Sequence, residues 1–173
     1  MTLIVSATNR PNSNTLKVAK YYQNKMKEKG EEAQILSLTD LPDTIISDDM
    51  FGIKSDSFLK LQEIITNSQK FIFIIPEYNG SFPGVLKVLI DACKFPESFF
   101  DKKAALVGIS SGKYGNIRGI DHFTGVCHYI NLHVLPLKIH INAVHRELNE
   151  YDVLFNADTV KFCNEQIDRF ISF

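Results

Sequence analysis

The stretch Phe71-Ile72-Phe73-Ile74-Ile75-Pro76-Glu77-Tyr78-Asn79-Gly80-Ser81-Phe82-Pro83-Gly84 decides the fold. Its first five residues are continuously apolar rather than alternating, which is the pattern of a parallel strand covered on both faces. Pro76 ends that strand, since proline cannot donate to a ladder. Beyond it, Ser81 reads as a helix N-cap and Pro83 as a first-turn residue. Leu86, Leu89, Ile90 and Cys93 then recur at the i, i+3, i+4, i+7 spacing of a helix. The intervening loop is pinned at both ends and offers an aromatic ring, a carboxamide, a carboxylate and a glycine amide. Strand-to-helix loops of this kind are where open α/β sheets bind ligands.

Outward from this unit, strand-like runs fall at 2–6, 33–38, 104–109 and 133–139. Helical patterns fall at 15–29, 55–68, 85–95, 117–131 and 158–170. Alternating β and α elements predict an α/β domain over residues 1–173. Its expected architecture is a flavodoxin-like, doubly wound, five-stranded parallel sheet of order 2-1-3-4-5 with helices on both faces. Residues 40–56 mix Pro, Asp, Ser and Gly without periodicity and read as a surface excursion.

Composition narrows the partners. With 19 Lys+Arg against 20 Asp+Glu, the formal charge is −1, which gives no nucleic-acid footprint and no polybasic membrane anchor. Cys93, Cys127 and Cys163 are scattered, which argues against a disulfide framework or a structural zinc site. The chain opens directly on Leu3-Ile4-Val5 and has no apolar run of membrane-spanning length. These features together lead us to expect a cytoplasmic protein acting on small molecules.

Three loops carry chemistry. The first strand runs into Ser6-Ala7-Thr8-Asn9-Arg10-Pro11-Asn12-Ser13-Asn14-Thr15 at the start of a helix. Helix N-terminal N–H groups, the hydroxyls of Thr8, Ser13 and Thr15, and the Arg10 guanidinium make a phosphate cradle. Taken alone, the same residues serve equally as a capped helix start with a solvated arginine. The second loop, Pro76 to Ser81, neighbours the first at the switch point of a 2-1-3-4-5 sheet, where Tyr78 and Asn79 suit a flat heteroaromatic ring. Alone, such an aromatic is more often packing. The third, Ser110-Ser111-Gly112-Lys113-Tyr114-Gly115-Asn116-Ile117-Arg118-Gly119, has glycines that permit close backbone approach. Neither GxGxxG nor GxxxxGK[ST] occurs, so a dinucleotide-fingerprint dehydrogenase or a P-loop enzyme is not expected. The five histidines fit no zinc spacing and read as structural or solvated, and Cys93 as a small core residue.

With these loops in view, the chain resembles the NADPH-dependent FMN reductase family, which is flavodoxin-like and includes quinone, azo-dye and chromate reductases. The family motif P-E-Y-N-x-S-x-P-G-x-L-K is intact from Pro76 to Lys87. G-S-x-R-x-x-S-x-N matches Ala7, Thr8, Arg10, Ser13 and Thr15, and S-x-G-x-x-G-G-x-R matches Ser110, Gly112, Gly115, Asn116 and Arg118. Departures are Ala7 for Gly, Thr8 for Ser, Thr15 for Asn and Asn116 for Gly.

The resemblance implies noncovalent FMN with its phosphate at Thr8, Arg10, Ser13, Asn14 and Thr15. Its ring would lie between Pro76, Glu77, Tyr78, Asn79, Gly80 and Ser81 on one side and Ser110, Ser111, Gly112, Tyr114 and Gly115 on the other. It further implies NADPH or NADH as donor, ping-pong transfer to a small-molecule acceptor (flavin, quinone, azo compound or metal oxyanion), no catalytic side chain, and a homodimer or homotetramer. The rival from another class is a flavodoxin-like electron carrier without nicotinamide binding. Such carriers dock through strongly acidic faces, which a nearly neutral chain does not favour.

Overall fold

In the computed structural model, which describes residues 1–173, the run at residue 71 forms the centre of the sheet. Strands β1 (Thr2–Ser6), β2 (Ala33–Ser37), β3 (Lys70–Pro76) and β4 (Lys103–Ile109) are all parallel, in the order β2-β1-β3-β4. The fifth position is shared by two short strands, β5 (His133–Val134) and β6 (Ile139–Ile141), which both pair with β4. The single strand expected over 133–139 is therefore broken. Pro136, in the gap, has no N–H to give the ladder. The overall order is the one expected for a flavodoxin-like fold.

Side-chain alternation explains why the strands read as continuous apolar runs. Phe71, Phe73 and Ile75 enter one core with Leu86, Leu89, Ile120 and Phe123, while Ile72 and Ile74 enter the other with Val18, Tyr22, Ile167 and Phe170. The first core is roofed by α2 (Asp56–Asn67), α3 (Gly84–Ala92) and α4 (Ile117–Tyr129), the second by α1 (Asn14–Glu28) and α5 (Ala157–Ser172). Both faces of β3 are thus fully buried, as a parallel strand requires. Phe73 and Phe123 meet edge to face at 5.0 Å, and Phe123 meets Phe82 at 5.4 Å, so the β3–α3 loop is anchored on the same core. No helix is long and apolar enough to cross a membrane.

Helix starts follow local chemistry, with one exception to expectation. Ser13 caps α1 by accepting the Leu16 N–H at 3.2 Å, and Ser55 caps α2 in the same way through Phe58. Ser81 does not cap α3, which begins at Gly84 behind Pro83. Ser81 instead closes a two-residue hairpin with Tyr78, whose N–H and C=O exchange bonds with Ser81 at 2.9 and 3.1 Å. Asn79 at φ 50° and Gly80 at φ 77° form the turn, as an Asn-Gly pair does in a type I′ geometry. At its far end α3 stops at Ala92, so Cys93 is a C-cap rather than a residue of the apolar helical face.

The 40–56 excursion is ordered by a buried carboxylate. Asp49 accepts the Ser55 N–H at 2.5 Å and the Thr44 hydroxyl at 2.8 Å. Burial pushes its pKa up, but those hydrogen bonds and nearby Lys54 outweigh it and hold the group below the usual carboxylate range. Lys54 also donates to the carbonyls of Asp49 and Ala92, at 2.7 and 2.5 Å, tying the segment to the end of α3.

Candidate functional site

All three chemistry-bearing loops leave the sheet at its carboxyl edge, and each is held where it leaves. Ala7 N–H donates to Ile74 O at 3.0 Å, Glu77 N–H to Ile109 O at 2.9 Å, and Ser110 N–H to Ile141 O at 3.0 Å. Ala7 therefore prolongs the ladder, and its methyl group is wholly buried. Glycine is not required there.

Between the loops lies a polar cavity of about 440 Å³. Thr8, Arg10, Ser13, Asn14 and Thr15 line it from the first loop, Pro76, Glu77 and Tyr78 from the second, and Ser110 and Ser111 from the third. Pro11, Asn12, Ile109 and Val144 complete the wall. Val144 comes from a short 3₁₀ turn after β6, held by its N–H bond to Ser110 O at 3.0 Å. Nothing local in the sequence marks it, because a distant crossover brings it there.

Asn79, Gly80, Ser81, Gly112, Tyr114 and Gly115 were expected in the same site but do not line this cavity. Asn79, Gly80 and Ser81 form the hairpin tip beyond Tyr78, and Ser81 Oγ lies 2.9 Å from His122 Nδ1. Gly115 is committed to bracing its own loop. Its N–H donates to Ser110 Oγ at 2.9 Å, and its carbonyl lies 3.1 Å from His140 Nδ1. Ser110 Oγ donates in turn to Gly112 O at 3.0 Å, so its proton is used within the loop. Asn116 adopts the left-handed conformation that Asn tolerates, and its Nδ2 donates to Ile75 O at 3.0 Å.

The cradle's donor set suits a phosphate. Leu16 and Lys17 N–H groups are taken by Ser13, so the N–H groups of Asn14 and Thr15 are left open at the head of α1. The exposed guanidinium of Arg10 enters no ion pair within the chain. Thr8 Oγ1 accepts the Arg10 N–H at 3.2 Å and lies 2.6 Å from the Tyr78 hydroxyl. With Tyr78 donating, both Thr8 lone pairs are filled and the Thr8 proton is free for an anion. Tyr78 thus couples the first loop's end of the cavity to the hairpin. Tyr78→Phe is expected to cost about 1 kcal/mol of stability, the net value of one hydrogen bond, and, by loosening the hairpin beside the cavity, to weaken binding of the FMN that the resemblance implies. Unchanged affinity by fluorescence titration would remove Tyr78 from this role.

The thiols are poor nucleophiles. Burial raises Cys93 and Cys127 to about 12 and Cys163 to about 11, which agrees with a packing role.

Comparison with known proteins places this geometry. Over residues 1–146 the chain matches the NADPH-dependent FMN reductase family. A 2-hydroxy-1,4-benzoquinone reductase of a Burkholderia species is 26% identical over 110 residues, covering 61% of this chain and 60% of that protein. An NAD(P)H-dependent FMN reductase of Pseudomonas aeruginosa is 37% identical over 78 residues, covering 44% of this chain and 42% of that protein. The matched stretch therefore spans less than two thirds of each of these relatives. Among solved structures, the flavoenzyme NAD(P)H:acceptor oxidoreductase FerB of Paracoccus denitrificans superimposes with a TM-score of 0.79 at 23% identity, covering 99% of this chain and 94% of that one, which establishes the shared fold. With the family's pattern matched across most of its length and the parallel order β2-β1-β3-β4-β5 beneath it, the chain belongs to the NADPH-dependent FMN reductase family.

Proposed function

We propose that the protein is an NAD(P)H-dependent FMN oxidoreductase, passing electrons from a nicotinamide nucleotide through bound FMN to a small acceptor such as a flavin, quinone, azo compound or metal oxyanion. The observation that carries this reading is the phosphate cradle: open N–H groups of Asn14 and Thr15, the Thr8 hydroxyl and unpaired Arg10, gathered in one cavity with Tyr78. FMN, when bound, supplies the two-electron chemistry. The chain's own residues supply position. Arg10 and the head of α1 would hold the dianionic phosphate, Tyr78 would fix the hairpin over the cavity, and the Ser110–Gly115 bracing would keep the third loop rigid. Among these acceptors, quinone and flavin are supported by the names of the two curated relatives, a quinone reductase and an FMN reductase.

Because the three loops assemble one polar crevice, donor and acceptor would use the same opening in turn. Steady-state rates with both varied should give parallel double-reciprocal lines. Intersecting lines would show a ternary complex and end the shared-opening proposal.

The same reading carries an assembly of two or four copies. An apolar groove of about 530 Å³ between α3 and α4 is lined by Ile90, Phe95, Phe99, Val126, Tyr129 and Ile130, with Phe95 and Tyr129 largely exposed. Its two lysines, Lys87 and Lys94, are already paired with Asp91 and Glu97, and its apolar lining suits a second copy better than a cofactor. Light scattering at micromolar concentration tests this part, and a monomer would contradict it.

A further inference from the structure

We propose that a second cavity, between the β2–α2 excursion and the start of α3, seats the adenosine half of the nicotinamide nucleotide, with Asp43 selecting an unmodified ribose and hence NADH over NADPH. The proposal rests on the oxidoreductase reading above and adds the donor's identity to it. The cavity measures about 550 Å³. Leu41, Ile45, Ile46, Val85 and Val88 give it an aliphatic side, Asn9, Thr39 and Asp43 a polar one, and no lysine or arginine lines it. An aliphatic side with polar groups facing it suits a purine nucleoside.

Its position is that of an extension of the candidate site. Asn9 lines it, while the flanking Thr8 and Arg10 line the phosphate cradle. Gly84 and Val85 line it too, three and four residues beyond the hairpin residue Ser81. The cavity therefore adjoins two of the three loops, at the carboxyl ends of β1 and β2, where a nucleotide whose other half reaches the cofactor would extend.

Its polar groups choose the ribose. Asp43 enters no ion pair and its carboxylate makes no hydrogen bond within the chain, so it is free to accept from a ribose hydroxyl. A 2′-phosphate would face that carboxylate with no cation in the lining to offset it. The family description names NADPH, so the selectivity proposed here belongs to this chain's own residues. The wall that carries Asp43 is held in place by the Asp49 hydrogen bonds and by Lys54 on Ala92 O.

The test is calorimetric titration of FMN-loaded protein, whose cradle is filled, with 5′-AMP and with adenosine 2′,5′-bisphosphate. AMP should bind about tenfold more tightly, and Asp43→Asn should bring the two within about threefold. In parallel, kcat/KM should favour NADH over NADPH, and Asp43→Arg should reverse that order. Equal or tighter binding of the bisphosphate by the unaltered protein, no binding of either mononucleotide, or a ratio indifferent to residue 43 would overturn the proposal. The two readings fail separately. If both dinucleotides reduce the protein but residue 43 has no effect, only the adenosine pocket is lost. If AMP discrimination follows residue 43 but neither dinucleotide delivers electrons, only the oxidoreductase reading is lost.

Discussion

Arg10→Ala is expected to lower FMN affinity by about 1.5–3 kcal/mol, the range for hydrogen bonds to charged groups, and to leave riboflavin affinity unchanged. Arg10 is the one cationic residue lining the cradle, and it has no ion-pair partner inside the chain to mask it. The cradle's other groups are neutral hydroxyls and the partial charge at the head of α1, which alone would contribute about 0.3–1 kcal/mol toward an anion at an exposed site. Arg10→Lys should recover part of the loss, since it restores charge but not the planar fork. Parallel titrations with FMN and riboflavin check the result. Equal losses for both ligands would mean that Arg10 acts on the loop rather than on the phosphate.

Gly108→Ala is expected to damage the site's scaffold, with a loss of about 3 kcal/mol in stability and the loss of FMN binding. A Cβ at residue 108 would stand 2.2 Å from the Gly115 carbonyl oxygen and 2.8 Å from Ile120 Cγ1. The first of these is backbone, so no side-chain rotation relieves it. Its displacement would pull the third loop off β4, breaking the Ser110–Gly115 and Asn116–Ile75 bonds. Denaturant unfolding and FMN titration together read both effects. Wild-type stability would show that the loop does not rest on the strand as described.

What could be read from the sequence was whatever short-range periodicity controls. The buried strands declared themselves because Phe71–Ile75 and Ala104–Ile109 face two cores at once, and the helices because their apolar residues return every third or fourth position. That Thr8, Arg10, Ser13, Asn14 and Thr15 line one cavity was legible because a helix start with hydroxyls and an arginine has a local signature. What was missed depended on choices between local options or on distant contacts. Ser81 looks like an N-cap, but Asn79-Gly80 forms a hairpin first, and the hairpin takes the Ser81 backbone. Pro136 splits the last strand, an interruption hidden inside an apolar run. Val144 reaches the cavity, and Asp49 organises the 40–56 excursion, only through tertiary hydrogen bonds that no window of sequence displays.

The central claim, that the chain takes electrons from a free nicotinamide nucleotide onto FMN held by these loops, is tested most directly by anaerobic titration of the FMN-loaded protein. The account predicts that one equivalent of NADH or NADPH per bound FMN abolishes the visible flavin absorbance. If neither nucleotide does so while dithionite does, the protein carries electrons between other partners and the oxidoreductase assignment is wrong.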